Sequence, residues 1–157
     1  MQAMVERRSV DLSGYPDLVM VLLGMRIRSV RGLFSTLRVG RGLAAIQRDP
    51  PEGLLGHDNF LWSLNHVGIR QYWRDLESLE RFTRSEPHSR WWKSFLRDNG
   101  GAGFWHEAYS RNGIEAVYLD MRPTGLARFA PERAPVGPFM STRERLDRDR
   151  AAVRVEA

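Results

Sequence analysis

The chain has 157 residues, 42% of them hydrophobic, which is enough for one domain with a core of its own. It has no cysteine, so disulfide bonds and thiolate metal ligands are excluded and a reducing cytoplasm is expected. The net charge is +5, but most basic residues are interleaved with acids, so we expect no nucleic-acid partner. One stretch without acids holds Arg26, Arg28, Arg31, Arg38 and Arg41, and it predicts a solvated basic helix face or an anion-binding rim.

The first part of the chain leads into a buried strand. Residues 1–16 are polar and predict an N-terminal arm with an extended piece at Arg8–Leu12. Asp17–Ile27 is predicted as a central strand, because most of it is a continuous apolar run. That run, Leu18–Met25, is too short to cross a bilayer and lies too far inside the chain for a cleaved signal, so no membrane partner is expected.

A helix is predicted next. Ser29 is a suitable N-cap, and apolar residues at helical spacing continue to Arg48. Gly40 and Gly42 are expected to weaken or bend this helix, since glycine is a poor helix former.

Two strands follow around a turn. Leu54–Leu64 and Ile69–Trp73 are rich in aromatic and β-branched residues, and Asn65–Gly68 can reverse the chain between them. His57, near a strand start, and His66, in the predicted turn, are expected at the surface.

Two short helices come next. Asp75 is a suitable N-cap for Leu76–Arg84, and Ser85 with Pro87 in the first turn predicts the start of another helix. Four side chains of that helix recur at i, i+3, i+4 and i+7 and therefore share one face. They are His88, Trp91, Trp92 and Phe95.

The stretch Gly103–Tyr109 carries the most unusual side chains. With Ile114–Met121 and the turn Ser110–Gly113, which ends in Asn-Gly, it is predicted as a β-hairpin. Alternate side chains of a strand point to opposite faces. Phe104, His106 and Ala108 therefore share one face, and Trp105, Glu107 and Tyr109 share the other.

The last part of the chain is broken by prolines. Residues 122–140 are predicted as an ordered wrap, because Leu126, Phe129, Phe139 and Met140 favour burial. Residues 141–157 carry dense charge of both signs and predict a tail or a short exposed helix. The expected organisation is an arm at 1–16, one domain at 17–140 and a tail at 141–157.

The element order predicts an α+β fold of the ferredoxin-like, split βαβ type, with both helices on one face of an antiparallel sheet. The other face would carry Trp, Phe and Tyr side chains as an exposed apolar patch. Packing two such faces together as a symmetric homodimer is a common solution, so a homodimer is expected.

Several segments together resemble the DUF4188 family, also described as monooxygenase-like and placed near the antibiotic-biosynthesis-type monooxygenases. The resemblance covers about Val19 to Ala130. Its most specific parts are Tyr72-Trp73, His88 followed by Trp92 and Phe95, and Trp105 to Tyr109.

The resemblance implies a dimeric α+β barrel with a pocket between each sheet and its own helices. It also implies oxygen chemistry on a hydrophobic small molecule, in secondary metabolism. Related barrels include cofactor-free oxygenases, haem-degrading monooxygenases and haem-dependent aldoxime dehydratases, so the fold does not fix the chemistry.

Two histidines are candidate catalytic residues. His106 can serve as a general base, or as the iron ligand if haem is bound, and the alternative is a structural imidazole bonded to a backbone carbonyl. His88 is a second candidate base or iron ligand, and the alternative is that it is a half-exposed helix residue without a role in catalysis. No two histidines have the spacing of a zinc site, and no glycine-rich nucleotide loop is present. Because the related barrels include both cofactor-free and haem enzymes, the resemblance implies no cofactor or haem b.

The large aromatic residues suit a flat, unsaturated ligand, although a dimer interface would also use them. The candidate substrate-binding residues are Tyr72, Trp73, Trp92, Phe95, Trp105, Glu107, Tyr109 and Tyr118. The sequence thus favours a monooxygenase-like oxidoreductase acting on an aromatic or polyene-like molecule. The alternatives are a haem enzyme of the aldoxime-dehydratase type with His106 as proximal ligand, and a non-catalytic protein that binds a hydrophobic ligand.

Overall fold

The computed structural model describes residues 6–98, 100–119, 125–134, 146–148 and 151, and at Leu96 and residues 117–119 it describes the backbone alone. The chain divides into two compact units. One is Val19–Ala108, and the other is formed by the described residues that precede and follow it in the sequence. Among the described residues, no helix is long and apolar enough to cross a membrane.

The unit Val19–Ala108 is built on a four-stranded sheet. Its strands are β2 (Val19–Ile27), β3 (Leu54–Ser63), β4 (His66–Trp73) and β5 (Ala102–Ser110). Their order in the sheet is β3-β4-β2-β5, and β4 runs antiparallel to both β3 and β2. This order, with helices between β2 and β3 and between β4 and β5, is the predicted ferredoxin-like arrangement.

Helix α1 (Val30–Arg48) and helix α2 (Leu76–Arg84) begin at the predicted caps. The Ser29 hydroxyl accepts a hydrogen bond from the Gly32 backbone N–H at 3.1 Å. The Asp75 carboxylate accepts one from the Ser78 N–H at 2.6 Å, and this bond is the largest cause that lowers the pKa of Asp75 to about 2.

Helix α3 (His88–Arg97) does not begin at the predicted cap. Ser85 instead ends α2, where its backbone N–H bonds to the carbonyls of Arg81 and Phe82 and its hydroxyl donates to Phe82 O at 2.8 Å. Because that hydroxyl is used by the preceding helix, α3 begins after Pro87 without a side-chain cap.

The turn between β3 and β4 is tighter than predicted. β4 already begins at His66, which lies opposite Arg26 of β2, and Gly68 lies opposite Gly24. His66 is therefore part of the sheet and only half-exposed. His57, in β3, is also half-buried rather than at the surface.

The predicted hairpin between Gly103–Tyr109 and Ile114–Met121 is wrong. β5 lies beside β2, whereas β6 (Val117–Leu119) pairs with β1 (Arg7–Val10) in a separate three-stranded sheet. Between them, Arg111–Gly113 forms a 3-10 turn in which Ile114 N–H bonds to Arg111 O at 3.1 Å. The partner of β6 comes from the predicted extended piece near the N-terminus, more than a hundred residues earlier.

The second unit is ordered around β1, which has β6 on one side and β7 (Glu132–Arg133) on the other. Leu126 is buried, as expected of the predicted wrap. Phe129 stacks edge-on against Tyr15, with ring centroids 5.2 Å apart. Phe139, Met140 and most of the predicted tail lie outside the described residues.

The core of the unit Val19–Ala108 lies between β2 and β4 on one side and helices α1 and α2 on the other. Its buried side chains are Val19, Val21, Ile46, Trp73, Leu79 and Phe82. Trp73 is fully buried, and its ring lies 5.1 Å from the ring of Phe82. Four of these side chains, Val21, Ile46, Leu79 and Phe82, also border a cavity within this unit.

Candidate functional site

A cavity of about 470 Å³ lies within the unit Val19–Ala108, between the helices and one face of the sheet. This volume is in the range of small-molecule sites. Its lining residues come from every strand of the sheet except β3 and from all three helices. They are Val21, Leu23, Met25, Val39, Leu43, Ile46, Ile69, Gln71, Leu79, Phe82, Thr83, His88, Trp91, Trp92, Phe95, Phe104 and His106.

The polar part of this lining is small. Four of the lining side chains are polar, and none of the described lining residues is an acid, a lysine or an arginine. Gln71 is already engaged by its neighbours, since its amide oxygen accepts from Trp73 Nε1 at 3.3 Å and its amide nitrogen lies 3.2 Å from His57 Nδ1. The Thr83 hydroxyl donates to Glu80 O. His88 and His106 are therefore the lining side chains best suited to act as a base or a metal ligand.

His88 is held by the end of the preceding helix. Its Nδ1 lies 3.1 Å from the backbone carbonyl oxygen of Thr83. A carbonyl oxygen can only accept, so Nδ1–H donates, and a neutral ring then holds its lone pair on Nε2. The ring also packs against Phe82, with centroids 5.1 Å apart.

The surroundings of His88 favour its neutral form. Burial is the main cause that lowers its pKa below the ordinary value of 6.5, and the charge of His106 lowers it further. The hydrogen bond to Thr83 acts in the opposite direction without reversing the shift. A neutral imidazole with a fixed tautomer can accept a proton or bind a metal through Nε2.

His106 lines the same cavity from β5, although its side chain is exposed. It therefore lies at the open side of the cavity, while His88 is half-buried. Phe104 lines the cavity from the same face of β5. The alternation predicted for this strand is confirmed, and the face with His106 is the one turned to the cavity.

The structure brings four of the predicted site residues together at the cavity: His88, Trp92, Phe95 and His106. It places the others elsewhere. Trp73 is in the core, and Tyr72 is buried with its ring 5.2 Å from the Arg70 guanidinium. Trp105, Glu107 and Tyr109 alternate with the cavity-facing residues of β5 and are not among the cavity's described lining. The side chain of Tyr118 lies outside the described residues.

Trp105 belongs to a cluster on the opposite side of the sheet, here called the aromatic sheet face and defined as Phe60, Trp62, His66 and Trp105. The Trp105 indole N–H donates to His66 Nε2 at 2.7 Å, and the rings of Trp62 and Trp105 lie 5.1 Å apart. Gly24 lets this indole lie on the sheet, because a Cβ there would be 2.6 Å from Trp105 Nε1. Phe60 and Trp62 remain partly exposed.

Some cavity residues were not predicted. The Thr83 carbonyl orients His88, but a backbone acceptor has no signature in the sequence. Val39, Leu43 and Ile46 have the helical spacing of a buried face, which indicates burial without distinguishing a core from a cavity wall. Gln71 could be suspected only as a polar residue on the inner side of a strand.

A haem would need an iron ligand, flat apolar walls and partners for its propionates. His88 fits the first requirement, because iron-ligating histidines commonly donate their other N–H to a carbonyl. Aromatic walls such as Trp91 and Phe104 fit the second. The described lining has no cation for the propionates, which would have to extend out of the cavity. Among the described residues, no group of three or more His, Asp or Glu side chains forms a metal site.

Comparison with known proteins gives relatives of two kinds. An aliphatic aldoxime dehydratase from Rhodococcus globerulus is 33% identical over 96 residues, which are 58% of this chain and 27% of that protein. The crystal structure of an aldoxime dehydratase superposes with a TM-score of 0.65 at 21% identity, covering 94% of this chain and 44% of that one. The chain thus spans less than half the length of these relatives.

A protein from Bacteroides thetaiotaomicron, described as a possible oxidoreductase, superposes with a TM-score of 0.50 at 13% identity, covering 61% of this chain and 99% of that one. At such low identity, this likeness and that to the aldoxime dehydratase structure show the fold alone. The model of the monooxygenase af470-like family matches residues 18–126, which contain all the described residues that line the cavity. The chain therefore belongs to the monooxygenase af470-like family.

Proposed function

We propose that this protein is a monooxygenase-like oxidoreductase that binds a neutral, hydrophobic aromatic or polyene molecule in the cavity and uses His88 as the base. The observation that carries the proposal is the anchored imidazole of His88 in an apolar cavity. Membership of a monooxygenase-like family supports the oxygen chemistry.

The chemistry of the lining restricts the substrate. Because the described lining has no cation or carboxylate, it would not compensate a charged group of the ligand. Flat rings, by contrast, can pack against Trp91, Trp92 and Phe104. We therefore propose a neutral substrate whose acidic proton is bound to carbon. An example is an aromatic ketone with a methylene group flanked by the carbonyl group and an aromatic ring, or by two aromatic rings.

The proposed reaction begins when His88 Nε2 removes a proton from that methylene and leaves a carbanion delocalised over the ring system. The carbanion gives one electron to dioxygen, and the two radicals combine to a carbon–oxygen bond. The imidazolium returns its proton to the resulting hydroperoxide anion. Loss of water then converts the methylene into a ketone, so that the CH₂ group and O₂ become C=O and H₂O without an external reductant.

The apolar walls contribute by excluding water from the carbanion. His106, at the open side, is proposed to tune His88, because its charge lowers the pKa of His88. His106 also remains the alternative base, since its ring lines the same cavity.

A second candidate function is a haem enzyme of the aldoxime-dehydratase type, with His88 or His106 as the iron ligand. The carbonyl-anchored N–H of His88 favours it, together with the sequence identity to an aldoxime dehydratase. Bound haem would supply a redox-active iron next to the substrate. The protein expressed with a haem precursor would then show a Soret band that His88→Gln or His106→Gln shifts or removes.

The proposed function is tested by oxygen consumption with an aromatic ketone that has a doubly activated methylene. His88→Gln should lower kcat/KM by about 10²–10⁴-fold, since it removes the base while an amide can still donate to Thr83 O. His66→Gln is the matched control, because His66 lies on the other side of the sheet, and it should leave the rate unchanged.

Full activity of His88→Gln together with loss of activity in His106→Gln would show that His106, and not His88, is the base. Tight binding of the ketone without oxygen uptake, insensitive to both substitutions, would instead indicate a non-catalytic binding protein. Mass spectrometry of the product gives a further check, because the reaction predicts one oxygen atom of ¹⁸O₂ in the ketone.

A further inference from the structure

Helix α1 has apolar side chains on two opposite faces. Its inner face carries Val39, Leu43 and Ile46, which line the cavity. On its outer side, large apolar residues recur at i, i+3, i+4 and i+7 and are exposed to solvent. Their exposed fractions are 74% for Val30, 43% for Leu33, 67% for Phe34 and 56% for Leu37. Such a contiguous exposed cluster indicates a binding surface.

The surroundings of this cluster are strongly basic. Between residues 26 and 48 the sequence has six arginines and no acid. Arg38 and Arg41 are exposed one turn beyond the apolar residues. Arg31 forms an ion pair with Asp98 of the segment after α3. The charge of Arg38 also contributes to lowering the pKa of that carboxylate. The remaining excess of positive charge favours an anionic partner.

A second copy of the chain does not suit this surface. In a symmetric contact each residue near the axis faces its own equivalent, so the arginines of the two α1 helices would approach one another. Like charges brought together in this way weaken association. An anionic surface has the complementary charge and no such conflict.

We propose that α1 lies on an anionic lipid membrane, with Val30, Phe34 and Leu37 inserted into the interface and Arg38 and Arg41 on lipid headgroups. An interfacial helix needs one apolar face and flanking basic residues, and no segment long enough to span the bilayer. The extended row of exposed apolar residues suits a flat surface, and arginine side chains can reach from it to the headgroups. The proposal departs from the expectation, drawn from the sequence alone, that the chain has no membrane partner.

The arrangement would also bring the cavity close to a source of ligand. The same helix forms one wall of the cavity through Val39 and Leu43. A neutral hydrophobic molecule of the kind that suits the cavity is concentrated in bilayers. Membrane binding itself does not depend on the reaction catalysed in the cavity, so the two proposals can fail separately.

The test is sedimentation of the full chain with vesicles of phosphatidylcholine alone or of equal phosphatidylcholine and phosphatidylglycerol. Binding is expected to the anionic vesicles and to weaken at high salt. Phe34→Ser should reduce the partition coefficient by about tenfold. The double variant with Arg38→Gln and Arg41→Gln should reduce it by about the same factor. The matched controls are Leu64→Ser, at an apolar position 95% exposed outside α1, and Arg84→Gln on α2.

Absence of binding to anionic vesicles would overturn the proposal, and so would equal binding to neutral ones. An equal loss in Leu64→Ser and Phe34→Ser would also overturn it, because the effect would not be specific to α1. If light scattering shows an oligomer that Phe34→Ser dissociates, the surface contacts a second copy and the proposal is wrong. Circular dichroism verifies that each variant is folded.

Discussion

His88 is a half-buried histidine of the cavity whose ring is anchored to a backbone carbonyl, whereas His106 lines the same cavity with an exposed side chain. The Thr83 carbonyl fixes which nitrogen carries the proton, and burial makes the charged form less favourable. A base must be unprotonated to act, so a lowered pKa keeps His88 active to a lower pH than an exposed histidine. The acid limb of activity should therefore lie below pH 6.5, the ordinary pKa of histidine.

Gly42 is a position in α1 where the packing of a neighbouring side chain requires glycine. It lies in α1 where the indole of Trp91 passes against the helix backbone, and a Cβ at this position would overlap the indole ring. Gly42→Ala should therefore push Trp91 toward the cavity and destabilise the protein by about 1–3 kcal/mol, as overpacking does. Denaturant unfolding measures this change.

Gly40 provides the control within the same helix, because a Cβ there would meet none of the described side chains within 4 Å. Gly40→Ala should stabilise the protein by about 0.5–1 kcal/mol, since alanine is the better helix former. Equal effects of the two substitutions would show that Trp91 does not pack on Gly42.

At the scale of the elements, local signals predicted most of the Val19–Ala108 unit. The caps Ser29 and Asp75 mark the starts of α1 and α2 because they act within three residues. The alternation of β5 correctly assigned Phe104 and His106 to one face. Ser85 was misassigned because a serine between two helices can bond to either, and the choice depends on backbone geometry.

Pairing over long sequence distances was not predictable in the same way. The Asn-Gly turn after β5 favoured a hairpin, but Arg111–Gly113 forms a 3-10 turn and β6 pairs with β1 instead. A strand of three residues has too little pattern to identify its partner. The sequence also left open which face of β5 meets the cavity. Trp105 and Tyr109 were predicted to bind substrate from their aromatic character, and they are not among the cavity's described lining.

At the scale of the whole molecule, the aromatic sheet face is the surface on which we propose a homodimer. Phe60 and Trp62 are 37% and 46% exposed there, while His66 and Trp105 hold the cluster in place by their hydrogen bond. Large aromatic residues at the centre of a face are typical of interfaces between subunits. This surface is on the opposite side of the sheet from the cavity and is distinct from the outer face of α1.

The homodimer predicts that light scattering gives twice the mass of the chain in solution. Trp62→Ser should shift the protein to the monomer, because it removes a large apolar contact from the interface. Phe34→Ser, which lies on α1, should leave the mass unchanged. A monomeric protein, or a dimer unaffected by Trp62→Ser, would contradict an interface at this face.

The proposed chemistry depends above all on His88 being a neutral imidazole with its proton on Nδ1 and its lone pair on Nε2. The most direct measurement is an NMR titration of the ¹⁵N-labelled imidazole of His88, assigned with His88→Gln. We expect a pKa below 6.5 and the Nδ1–H tautomer above it, and a higher pKa in His106→Gln, where the neighbouring charge is absent. A pKa above 6.5, or a proton on Nε2, would contradict the assignment of His88 as the base.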